Sequence, residues 1–152
     1  MSTRHENTGL PASAGGVRLG HSLEVYRGEC LVFASDGKWL HPLFELEDFL
    51  RRQGLSASEL VVVDKIVGRA AALLCVYFGV GRVVAELLSI RGQQVLEYHG
   101  VPYQYGALVD RILCRTEELL AQEWDPARAY AVLAELRARS LDSQPAKPSG
   151  GE

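Results

Sequence analysis

The stretch VVVDKIVGRAAALLCVYFGVGRVVAELLS, residues 61 to 89, constrains the fold more than any other part of the chain. A β-branched run, Val61 to Val63, ends in an acid and a base side by side, Asp64 and Lys65. The run lacks the alternation of a half-exposed strand and reads as a strand buried on both faces. From Ile66 to Phe78 the chain is apolar on nearly all sides, with Arg69 as its one charge, which predicts a central helix. Gly79 and Gly81 then flank a turn into a second strand, Val83 to Leu88. A strand, a buried helix and a second strand make a parallel unit that needs other helices around it.

The flanking sequence supplies those parts. LEVYRGECLVFAS reads as two short strands around a turn at Arg27-Gly28. Pro42 opens a helix with Leu43, Phe44, Leu46, Phe49 and Leu50 on its buried side, and Gly54 stops it. A short helix is expected from Gln93 to His99, a strand near Val101 to Tyr105, and a helix from Ala107 to about Leu120. Asp125 is placed to cap a last helix with Pro126 in its first turn. Residues 1 to 20 and 140 to 152 are polar and read as disordered tails, leaving one domain over 21 to 139. The expected class is α/β, a layered sheet with an antiparallel hairpin at one side.

Charge and cysteine usage narrow the function classes. A formal net charge of −3 offers no basic field for nucleic acid. The longest uncharged run, Ala70 to Gly81, is too short for a membrane span, and no apolar leader opens the chain. A cytoplasmic protein is the default expectation. Cys30, Cys75 and Cys114 are widely spaced, so neither a zinc site nor a disulfide framework is indicated; they read as reduced thiols, mostly in the core. No cofactor and no metal is expected.

The candidate site follows from topology. In open α/β sheets ligands sit beyond the carboxyl ends of parallel strands. Those ends are Asp64-Lys65 and Ser89-Ile90-Arg91. Asp64 is explained either as an N-cap satisfying free N–H groups or as part of a site. Lys65 at a helix N-terminus is opposed by the dipole unless an anion compensates, so it points to a bound anion or phosphate. Asp64 and Lys65 are also the candidates for any catalytic role. Gly68 permits a close backbone or ligand approach, and Arg69 either reaches solvent or forks onto Asp64 or a phosphate. Ser89 caps the next helix and turns free N–H groups toward the cleft.

With these residues in place, the span from Leu23 to about Arg115 resembles the family catalogued as domain of unknown function 1893. The resemblance rests on Pro42-Leu43 after a hairpin, on the string Asp64-Lys65-Ile66-Val67-Gly68-Arg69-Ala70-Ala71-Ala72, on Ser89, and on Arg111-Ile112-Leu113-Cys114-Arg115. It implies a three-layer cytidine deaminase-like sheet with helices on both faces. Zinc deaminases open one helix with H/C-x-E and the next with P-C-x-x-C. Neither motif stands here, so the resemblance implies a pocket without the zinc reaction. The segment TEELLAQEWDPARAYAVLAELRARS replaces the short ending of family members.

Two functions stay open. One is a small-molecule binding protein, or an enzyme of unstated reaction, with Asp64, Lys65, Gly68, Arg69 and Ser89 around a nucleotide-like or other anionic metabolite. The other is a non-catalytic regulatory or assembly protein in which these residues only brace a buried helix. For the second, helix 126 to 139 offers Ala129, Val132, Leu133 and Leu136 to a partner or to a second copy in a homo-oligomer.

Overall fold

Leu60–Val67 forms β3, the middle strand of a five-stranded sheet in the computed structural model, which describes residues 20–142. The hairpin strands β1 (Leu23–Arg27) and β2 (Cys30–Ser35) lie on one side of it. On the other side lie β4 (Arg82–Ser89) and β5 (Tyr103–Val109), giving the order β2-β1-β3-β4-β5. β1 runs antiparallel to both of its neighbours, while β3, β4 and β5 are parallel. Helices flank this mixed sheet, consistent with a three-layer α/β arrangement. A central position explains the unbroken Val61 to Val63 run, since Val62 and Val63 are both buried.

Register sorts the side chains. Val25, Val62, Val83 and Tyr103 are direct partners across four strands and join the main core. A smaller cluster, Tyr26, Val63 and Val84, sits on the alternate positions.

The helices are α1 (His41–Gln53), α2 (Arg69–Phe78), α3 (Ile90–Tyr98), α4 (Arg115–Leu119) and α5 (Pro126–Asp142). α1 has Pro42 in its first turn and Arg51 and Arg52 in its last, a charge placement the helix dipole favours. α2 packs against all four other helices, the central place its apolar sequence calls for. Gly79 ends it at φ 80°, where its N–H reaches back to the Cys75 and Val76 carbonyls. α2 and α3 open side by side. A Cβ at Gly92 would lie 2.8 Å from the Gly68 carbonyl oxygen, so only glycine lets the two openings approach this closely.

Several expectations are corrected. β3 continues through Val67, so Asp64 and Lys65 lie inside the strand; Gly68, not Asp64, is the α2 N-cap. Asp64 is held there by its ladder partners Leu23 and Ala85. The helix expected from Ala107 begins only at Arg115, because Ala107 and Leu108 pair with Leu87 and Leu88 and carry β5 on to Val109. Cys75 is buried as expected, but Cys30 and Cys114 are exposed. The apolar face of α5 is used internally: Ala129 and Leu133 are fully buried, and Tyr130 stacks on Tyr77 of α2 at 4.4 Å. Ala129 and Leu133 are therefore not open to a partner, while Val132 and Leu136 are partly buried against the same core. The expected tails fall outside the described residues, except that Gly20 is described and α5 extends past Arg139 to Asp142. Among the described residues no helix is long and apolar enough to cross a membrane.

Candidate functional site

A helix leaves its first N–H groups without intrahelical partners, and Gly68 has no side chain to cap those of α2. The cap comes from far along the chain. Glu117 of α4 accepts the Arg69 N–H at 2.6 Å through Oε1 and the Ile112 N–H at 2.8 Å through Oε2. Its side chain is 1% exposed. A Cβ at Gly68 would stand 2.7 Å from Glu117 Oε1, so a side chain here would push the capping carboxylate aside. The positive end of the α2 dipole and the Arg69 guanidinium compensate the buried carboxylate.

Arg69 is itself fully buried. Nε and Nη2 donate to the Glu123 carbonyl at 3.0 and 2.7 Å, and Nη1 donates to the Arg91 carbonyl at 3.0 Å. Its guanidinium lies 4.2 Å from the centre of the Trp124 ring. Burial pulls its pKa below the ordinary arginine value, and the Glu117 charge opposes that pull. This guanidinium ties the α2 opening to the α3 opening and to the α4–α5 connection. Three of its N–H donors are spent on backbone carbonyls of the protein.

Beside Glu117 lies a cavity of about 220 Å³. Its walls are mostly apolar, with Leu40, Ile66 and Ile112 around Gly68 and Glu117, and Trp39 at its side. Trp39 has φ 57°, a left-handed conformation that strains a bulky residue. Such strain persists where surrounding structure enforces it, and it concentrates at binding sites. An adjoining cavity of about 280 Å³ shares Trp39, Cys114 and Thr116 and adds Arg115 and Leu136. The two form one groove that runs from a buried acid to an exposed base.

Of the five residues expected at the site, Gly68 lines this groove and Asp64, Lys65, Arg69 and Ser89 do not. Ser89 does cap α3, accepting the Gly92 N–H at 2.9 Å, and it is fully buried. Lys65 is exposed on β3. Asp64 is partly buried, and desolvation pushes its carboxyl up to about 7 against hydrogen bonds from the Ile66 and Lys65 N–H groups. Burial, and secondarily the Asp64 charge, raises the Cys75 thiol. Trp39, Glu117 and the groove role of Arg115 were not expected. The Glu117-Glu118 pair carries no local signal of which residue is buried.

The raised Asp64 carboxyl predicts a pH effect. A carboxyl whose pKa rises on folding holds its proton more tightly in the native state, so stability is full below the unfolded value. It is lost as pH climbs from about 4 through about 7. Thermal melts across that range should show wild type falling by a few kcal/mol, because each tenfold gain in proton affinity is worth roughly 1.4 kcal/mol. Asp64→Asn should flatten the profile and melt above wild type at about pH 8. Parallel profiles for the two proteins would rule this out.

Among the described residues, no group of three or more His, Cys, Asp or Glu is placed to hold a metal ion. The family model described as "Domain of unknown function (DUF1893)" matches residues 19–136. The fold is similar to the crystal structure of a DUF1893 family protein from Thermotoga maritima. That match has a TM-score of 0.67 and 24% identity, over 76% of this chain and 80% of that one. No curated protein matches.

Proposed function

Because this chain belongs to the DUF1893 family, a domain of unknown function, its activity has to be read from its own residues, and we propose that it binds a nucleotide-like small molecule in the groove beside Glu117. The observation that carries this reading is a buried carboxylate facing an apolar cavity at the opening of a helix that follows a parallel strand. Such clefts are where α/β sheets take ligands, and apolar walls with a few fixed polar groups are the usual composition of a ligand site. The strained Trp39 on the wall is the aromatic residue against which a ligand ring would pack.

The cytidine deaminase-like fold belongs to the same proposal. It is supported by a sheet in which β1 alone runs against the other strands, and by two helices opening at the carboxyl ends of β3 and β4. The zinc of such enzymes does not fit here. Gly68-Arg69 and Ser89-Ile90-Arg91 stand where its ligands would, and a buried guanidinium fills that space. No reaction is part of this reading, and binding is the whole of it.

The test is calorimetric titration of the full chain with the common ribonucleosides, comparing wild type with Trp39→Gly. Glycine adopts the φ of 57° without strain, so the variant should keep its fold, with a melting temperature within a few degrees of wild type. Its affinity for the nucleoside that wild type binds should fall roughly tenfold or more, the size of a lost aromatic contact and its buried area. Absence of nucleoside binding by wild type at millimolar concentration would end this reading.

A further inference from the structure

Resting on that reading, we infer that the groove is a bipartite site for a nucleoside monophosphate-like ligand, with its ring at Glu117 and its anionic group at Arg115. The inner end is an acceptor. An ionised carboxylate only accepts hydrogen bonds; each Glu117 oxygen already takes one backbone N–H and keeps capacity for another donor. The inner cavity has no cation on its wall. A phosphate there would meet a carboxylate, with no cation on the cavity wall to hold it. A ring bearing an amino or N–H donor meets both the acceptor and the apolar surface.

The outer end has the opposite character. Arg91 and Arg111 both pair with Glu118, at 3.6 and 2.8 Å. Arg115 lines the outer cavity and makes no ion pair or hydrogen bond among the described residues. Among the described residues nothing occupies its guanidinium fork, and phosphate is the group such a fork grips in two-point fashion. Trp39, Cys114 and Thr116 border both cavities, which places the two side by side. The inner volume of about 220 Å³ is below the roughly 300–1,000 Å³ of larger ligand sites, which suits a single ring. One ring inward and one anion outward is the chemistry of a nucleoside monophosphate.

The experiment titrates wild type and Arg115→Ala with a nucleoside, its monophosphate and inorganic phosphate alone. Arg115 is exposed, so its loss leaves the fold intact. Wild type should bind the monophosphate roughly tenfold tighter than the nucleoside, the gain expected of one charge-assisted contact. Arg115→Ala should erase that gain and leave nucleoside affinity unchanged. If nucleoside binds but monophosphate is no tighter, or if the gain survives in Arg115→Ala, the bipartite assignment falls while the binding reading stands. Inorganic phosphate binding better than any nucleoside would overturn the orientation. Silence from every ligand would remove both.

Discussion

Arg69→Ala should lower the unfolding free energy by about 3–5 kcal/mol, the range for removing one partner from a buried charged network. The substitution strands the carbonyls of Glu123 and Arg91 in a partly buried place, since both accept from this guanidinium. It also takes the cation from beneath Trp124 and leaves the Glu117 carboxylate without its nearest positive side chain. For a domain of this size the melting temperature should fall by roughly 10 °C or more. Arg69→Lys keeps the charge but not the fork, because one ammonium cannot span two carbonyls on separate segments. It should recover less than half of the loss. Urea unfolding of both variants checks the order; an Arg69→Ala midpoint close to wild type would show that the tie between α2, α3 and α5 is not needed.

The same residue marks how far the sequence could be read. A lone arginine in an apolar helix announces a buried or half-buried charge, and that much is local. What it touches is not local: Glu123 lies 54 positions away and Arg91 lies 22 away. Signals within one element were legible. Pro42 and Gly54 bound α1, Ser89 caps α3, and Asp125 accepts the Ala127 N–H at the start of α5. Boundaries failed where the sheet overrode them. Asp64 resembles a helix cap, yet pairing with Leu23 and Ala85 keeps it extended. Ala107 and Leu108 have no strong strand preference, yet β4 holds them in β5. The topology rule pointed to the carboxyl ends of β3 and β4, and the groove lies at the opening of α2. Gly68 apart, Trp39 and Glu117 escaped, because a tryptophan's φ and the choice between Glu117 and Glu118 are settled by tertiary packing.

Glu117 is where fold and ligand meet, so its substitutions separate them. Glu117→Ala removes the acceptor from the buried Arg69 N–H and from the partly buried Ile112 N–H. Each unsatisfied donor costs about 1–3 kcal/mol, so a loss of about 2–5 kcal/mol is expected. Glu117→Gln has nearly the same shape. Its carbonyl oxygen can serve one N–H, while its amide group faces the other donor to donor, so it should cost about half as much. It also places an N–H donor where the ligand ring would bring its own. Nucleoside affinity should therefore fall at least tenfold in Glu117→Gln under conditions where the variant is fully folded. A Glu117→Gln protein that is destabilised yet binds as wild type would confine Glu117 to capping α2. A protein that loses binding at near-native stability would place the ligand on the carboxylate itself. A carboxylate shared by a helix opening and a cavity would then make α2 report on occupancy, with wild type gaining stability as the ligand fills the groove.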